Sequence, residues 1–237
     1  MPAATIALWF RKFNALTKTN MKNLSIIALL LTLATGASGQ AVTTTTNDTI
    51  GVGIPDNDLS GLASTKTFVS PITSLTDLNV YINISGTYNG DLYAYLTYGS
   101  GFSVLLNRPG RTSLNTLGYG DDGLDITLDD AAATDIHAYG GNGGNLLTGT
   151  FQPDARNTSP LTVLANTGRT DFLSSFNGLD PNGDWTLFVA DVSGGDTHTL
   201  VSWGLEATGP IPEPGTTTLL ALGGLGLLLA AWRRKQS

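Results

Sequence analysis

The chain has no cysteine among its 237 residues. It therefore offers no disulfide framework and no thiolate metal site, and the fold must rest on packing or on oxygen-ligated ions. It has only two histidines, His137 and His198, with no His-Glu-x-x-His spacing and no Gly-x-Ser-x-Gly elbow around them. Isolated histidines of this kind assemble neither a zinc site nor a Ser/His/Asp centre. His198 adjoins a turn and is expected at the solvated surface, and His137 lies in a loop-like stretch as a structural or exposed residue. Basic side chains are also scarce. Between Val42 and Gly209 there are Lys66, Arg108, Arg111, Arg156 and Arg169 against eighteen acids. A field of that sign disfavours nucleic acid and anionic membrane surfaces, and suits divalent cations or solubility outside the cell. Amphipathic helical patterning over three turns is missing as well.

What is present is alternation. Leu78, Val80, Ile82 and Ile84 alternate with Asn79, Tyr81 and Asn83. The same period of two recurs in Leu92, Ala94 and Leu96, in Trp185, Leu187 and Val189, and in Val201, Trp203 and Leu205. Half-buried strands have this pattern. Turn chemistry separates them at Gly99-Ser100-Gly101, Asn107 to Gly110, Asp180-Pro181-Asn182-Gly183 and Ser193-Gly194-Gly195-Asp196. The pattern predicts an all-β sandwich, with Trp185 and Trp203 as inward anchors of two late strands. Residues 42–53 read as a flexible lead-in, 54–208 as the folded domain, and 209–214 as a stiff Pro-rich linker.

Acidic clusters are the remaining candidate chemistry. Asp56, Asp58, Ser60 and Gly61 match the first half of an EF-hand loop, but position twelve is Thr67 where Glu is required, so coincidence is the reading. Asp121, Asp122, Asp125, Asp129 and Asp130 place five carboxylates within ten residues. Two readings fit them. One is a calcium site, with Asp91, Asp191 or Asp196 converging from neighbouring loops; the other is a solvated loop with Asx turns. No carboxylate pair stands out as the two acids of a glycosidase.

Both ends carry targeting patterns. Met21 and Lys22 precede an apolar stretch from Leu24 to Ala34 and small residues from Gly36 to Gly39, the layout of a secretory signal peptide. Residues 1–41 are assigned to it, with Met21 the expected start and cleavage after Gly39 or Ala41. At the other end, Pro212, Glu213, Pro214 and Gly215 lead into fourteen uncharged residues from Leu219 to Trp232, then Arg233, Arg234 and Lys235. As a helix those fourteen reach roughly 21 Å, against a bilayer core of about 30 Å. A segment that short suits a transient stop held by basic residues on the cytoplasmic side. The order of triplet, short apolar run and basic end resembles the PEP-CTERM sorting signal of exopolysaccharide-producing Gram-negative bacteria. The resemblance implies transient inner-membrane insertion, recognition and processing by an exosortase at 212–215, and delivery to the cell envelope or outside the cell.

A second resemblance covers roughly 54–207. Ile54-Pro55-Asp56-Asn57, Thr87-Tyr88-Asn89-Gly90-Asp91-Leu92, Leu105-Leu106-Asn107-Arg108 and Leu128-Asp129-Asp130-Ala131-Ala132 open the series. Phe176-Asn177-Gly178, Asn182-Gly183-Asp184-Trp185-Thr186-Leu187, Gly195-Asp196-Thr197 and Ser202-Trp203-Gly204-Leu205 complete it in order. Together they resemble the P domain, or Homo B domain, that follows the catalytic domain of kexin-like and furin-like proprotein convertases. That resemblance implies a jelly-roll β-sandwich of the galactose-binding-like type, with Asp129 and Asp130 in the place of the family's aspartate pair. No protease precedes it here. The expectation is a non-catalytic exported binding or structural module with extracellular polysaccharide or a secreted protease as partner. The alternative is an accessory domain that stabilises or targets a separate subtilisin-like protease. Calcium is the sole cofactor suggested.

Overall fold

The computed structural model describes residues 41–211, with 223 and 224. The assigned signal peptide before residue 41 and the sorting tail, including Pro212, Glu213, Pro214 and Gly215, lie outside the described residues. Nine strands form within 41–211: β1 (Ala41–Ile54), β2 (Leu62–Phe68), β3 (Asp77–Gly86), β4 (Leu92–Tyr98), β5 (Gly101–Asn107), β6 (Leu124–Leu128), β7 (Leu147–Phe151), β8 (Gly183–Asp191) and β9 (His198–Pro210). Helical structure in this span is limited to 3-10 turns at Asn89–Asp91, Ile136–Ala138 and Leu173–Phe176. The strands pair as one sheet in the order β1-β9-β3-β6-β7 and a second in the order β2-β8-β4-β5. The fold is thus the all-β, two-sheet sandwich that the alternation predicts, with the chain crossing repeatedly between the sheets.

Period two is what makes each strand two-faced. Along β3, Leu78, Val80, Ile82 and Ile84 point into the core while Asn79, Tyr81 and Asn83 face outward, half-buried. Trp185 and Trp203 are fully buried, as expected of inward anchors. Each satisfies its indole N–H: Trp185 Nε1 donates to the Pro181 carbonyl at 2.8 Å, and Trp203 Nε1 to Ser64 Oγ at 2.9 Å. The hairpin β4–β5 turns at Gly99 and Ser100, with Gly99 at φ 56°, a left-handed conformation that glycine adopts without steric cost.

Three expectations need correction. The lead-in 42–53 is not flexible: it is β1, laddered to β9 from Ala41↔Pro210 to Ile54↔His198. Its run of threonines suits a pleated strand, but the run lacks apolar alternation because its partners, and not its own side chains, hold it. The linker expected from residue 209 begins later, since β9 continues to Pro210, whose carbonyl accepts the Thr73 N–H at 3.0 Å. The phase of β9 also changes. Ser202 pairs with Asn83 and Leu200 with Ile84, leaving Val201 as a bulged extra residue. Leu200 therefore takes the inward position that strict alternation gives to Val201.

β1 approaches β9 so closely at one point that only glycine fits. A Cβ on Gly204 would lie 1.7 Å from the Thr46 carbonyl oxygen. Gly204→Ala is therefore expected to force the strands apart and destabilise the protein by about 1–3 kcal/mol or more. Trp185→Ala, which empties the core, is expected to cost about 3–5 kcal/mol. Urea unfolding followed by tryptophan fluorescence checks the first, and circular dichroism checks both.

Candidate functional site

The residues with the most chemical capacity are carboxylates, and the structure disperses them. Asp121 is buried and accepts three donors from the segment that follows it: Tyr139 Oη at 2.7 Å, Asn142 N at 2.8 Å and Gly144 N at 2.8 Å. The carboxylate contact and burial both raise the Tyr139 phenol, burial being the larger cause. Asp122 and Asp125 are exposed, the latter on the outer face of β6. Asp129 accepts from Ala131 N at 2.7 Å as an Asx turn. Asp130 reaches across to the 3-10 turn at Leu173, accepting from Leu173 N at 3.0 Å and Ser174 N at 2.8 Å.

The five acids of 121–130 thus do not converge. Strand β6, five residues long, separates the first pair from the last, and donors from elsewhere in the chain already engage Asp121, Asp129 and Asp130. Among the described residues no group of three or more histidines and acids is placed to hold a metal ion. Asp56 is exposed, and Asp58 accepts from Ser60 N at 2.8 Å, which holds its carboxyl below the usual range. This is an Asx turn, in keeping with coincidence for the EF-hand likeness.

His198 departs from the surface reading, and His137 takes the structural one of its two alternatives. His198 is buried with its Nδ1 2.8 Å from Asp191 Oδ2, and its Nε2 is buried without a partner. His137, also buried, has Nδ1 2.8 Å from Asp154 Oδ2 and Nε2 2.9 Å from the Arg111 carbonyl oxygen. A turn residue is expected in solvent only when nothing packs over it. Here the first residue of β9 and His137 in the 3-10 turn at 136–138 are both packed away from solvent. Asp154 is shared further, with Arg156 Nη1 at 3.2 Å from its Oδ1 and Asn107 N at 3.2 Å from its Oδ2. Arg156 also bridges to Asp135 at 2.8 Å. A buried cation, a buried acid and a half-buried one share this hydrogen-bonded group, where a buried charge alone would be costly.

Asp91, Arg108, Asp191 and His198 form a second buried group. Arg108 Nη2 lies 3.3 Å from Asp91 Oδ1, and Arg108 Nε donates to the Gly90 carbonyl at 2.8 Å. Burial pushes the Asp91 carboxyl up to about 6, with Asp191 and Asp196 adding to the rise and Arg108 and His198 opposing it. Asp191 acts on Asp91 within this ion-paired group. Asp196 accepts from Thr87 Oγ1 at the neighbouring turn.

Sequence reading missed an aromatic patch. The outer face of β2-β8-β4-β5 carries Tyr93, Tyr95, Phe102 and Phe188, all half-buried. Tyr95 stacks on Phe188 at 4.7 Å and leans on Phe102 at 5.3 Å, while Tyr93 meets Tyr95 edge-on at 5.9 Å. Tyr93 and Tyr95 are the polar-side positions of an alternating strand, which by pattern alone read as solvated. Their adjacency to Phe102 and Phe188 is a matter of register between three strands.

Comparison with known proteins bears on the C-terminal end. The family model described as the PEP-CTERM protein-sorting motif matches residues 210–235. The chain carries this sorting signal, a substrate signal for exosortase processing that implies export to the envelope or beyond in Gram-negative bacteria. Among solved structures the chain is similar to the Aeromonas sobria serine protease in complex with its chaperone, at 15% identity and a TM-score of 0.42, over 78% of this chain and 30% of that one. It is also similar to the serine protease of Aeromonas sobria, at 17% identity and a TM-score of 0.40, over 76% and 29%. The chain thus covers less than a third of either. No curated protein matches it.

Asp91 gives a pH dependence of definite sign. Its folded value near 6 stands above the ordinary 3.8, so the folded state takes up this proton first as pH falls. Through this group, stability rises as pH drops from above 6 towards 4, and the cost of the buried carboxylate is present in full at neutral pH. The stability difference between the wild type and Asp91→Asn should therefore shift in favour of the wild type over that window, as measured by urea unfolding at pH 7, 6, 5 and 4.5. In a separate test, Asp130→Ala should cost about 1–2 kcal/mol through two uncapped amides, and Asp122→Ala almost nothing.

Proposed function

We propose that this protein is a non-catalytic exported module that acts by binding or by structure in the cell envelope or extracellular matrix. The observation that carries the reading is the direct junction of a sorting motif to a sandwich whose reactive side chains are used as internal fasteners. A triad base needs an accessible imidazole within reach of a nucleophile. His137 and His198 instead sit at 1% and 2% exposure against buried aspartates. The surviving surface chemistry is the aromatic patch of β4, β5 and β8.

A second reading, an accessory module of the P-domain kind that stabilises or targets a separate secreted protease, is favoured by the form of that patch. Sugar recognition by stacking needs an open ring face, but Tyr95 is stacked on Phe188 at 4.7 Å and flanked by Phe102 at 5.3 Å. Packed aromatic rings with polar handles suit the centre of a protein interface.

Fractionation of the producing culture tests both. The processed protein should sediment with matrix polysaccharide, and Tyr95→Ser with Phe188→Ser should release it to the medium while its melting temperature stays within a few degrees of the wild type. Co-purification of a subtilisin-like protease, lost in the same variant, selects the second reading. Hydrolysis of a peptide or glycan substrate by the purified protein, abolished by His198→Gln, would overturn both.

A further inference from the structure

The sorting motif does not begin after the folded domain but inside it. Its match starts at residue 210, and Pro210 is the last residue of β9. That residue is held on one side by the pairing Ala41↔Pro210, and its carbonyl accepts from both Thr73 N at 3.0 Å and Thr73 Oγ1 at 3.2 Å. Pro214 lies four residues further along the chain. Fully extended, they span at most about 14 Å. Whatever acts on the triplet therefore works within about 14 Å of one pole of the sandwich, a pole that β1 also reaches with its first residue.

The exposed segments of this pole have one sign of charge. It is built from 69–78, 128–132, 173–182 and 206–211, which contain Asp77, Asp129, Asp130, Asp180 and Glu206 and no lysine or arginine. A cleft of about 290 Å³ opens there between Asp77, Asp130, Ser174 and Asn177. The Asp77 carboxyl is raised by partial burial and then by Asp129 and Asp130, so these acids act on one another without a neutralising base. Val69 stands beside them 76% exposed.

The geometry points to this pole as a docking surface for the processing enzyme itself. Resting on the exosortase reading of the tail, it assigns that membrane enzyme a cationic exoplasmic surface that receives the acidic pole while the triplet enters its site. Tether length makes the contact unavoidable, and charge gives it a preferred partner. Within a Debye length of about 8 Å, anionic lipid headgroups repel this pole and a basic protein surface attracts it.

The test follows tail removal by intact mass in an exosortase-carrying host, using the full chain. Asp77→Asn with Asp180→Asn removes two of the pole's five acids. Asp56→Asn with Asp122→Asn removes the same charge from exposed positions at the opposite end. The pole variant should be processed more slowly, on the order of three-fold or more, and the control at the wild-type rate. A twelve-residue Gly/Ser insertion between Ile211 and Pro212 should make processing indifferent to the pole charges. Equal rates for pole variant and wild type, equal slowing by the control, faster processing of the pole variant, or charge dependence that persists with the insertion would each overturn the docking surface. These outcomes leave the sorting reading intact. A wild-type chain that keeps its tail in such a host overturns that reading, and the docking surface with it.

Discussion

Strand β9 is the member on which the rest of the sandwich hangs. It is hydrogen-bonded along one edge to β1 and along the other to β3, contributes Leu200, Trp203, Leu205 and Ala207 to the core, and ends inside the sorting motif. Its bulge at Val201 sets the inward phase of the strand, and Gly204 sets how closely β1 can lie. Lys66 ties the second sheet to the same strand: its ammonium donates to the Trp203 carbonyl, lies 4.9 Å over that ring, and pairs with Asp48 of β1 at 3.4 Å. The ordering that makes the domain rigid is therefore continuous with the chain that leaves it.

The second constraint is the length of irregular backbone that a domain without cysteine must fasten. Residues 108–123, 129–146 and 152–182 connect strands with little ladder pairing of their own, and their N–H groups need acceptors. Aspartates supply them. Asp121 collects two amides and a phenol, Asp130 two amides, and Asp154 a histidine, an arginine and an amide. Apart from Asp154 with Arg156, each stitch joins residues 17 to 47 positions apart, as a disulfide would, with acceptor oxygens in place of sulfur. The excess of acid over base thus has a structural use, with Asp121 and Asp154 buried in this role.

Function then falls to what the stitches leave outside: an aromatic face on one sheet, and an acidic pole where the chain exits. The two are physically different recognition surfaces. Rings on β4, β5 and β8 offer apolar area with phenol handles, suited to a long-lived contact that excludes water. The exit pole offers charge on a short tether, suited to a transient encounter.

Much of this was legible from residues alone. The alternation in β3, β4 and β8 specified two-faced strands, the Gly-rich tetrads specified turns, and the order of triplet, apolar run and basic end specified a sorting signal, because each is a local property of a few neighbouring residues. Trp185 and Trp203 were legible as core for the same reason. The role of β1 was not, since a threonine-rich strand gains its order from β9, some 160 residues away. The burial of His137 and His198 was not, because it depends on what packs over them. Dense acids at 121–130 suggest a cation by composition, but whether carboxylates converge on an ion or disperse to cap amides is a matter of distance in three dimensions. Sequence determined the elements and the destination of the chain; tertiary structure decided which side chains face one another, since burial and register are sums over contacts that no local pattern contains.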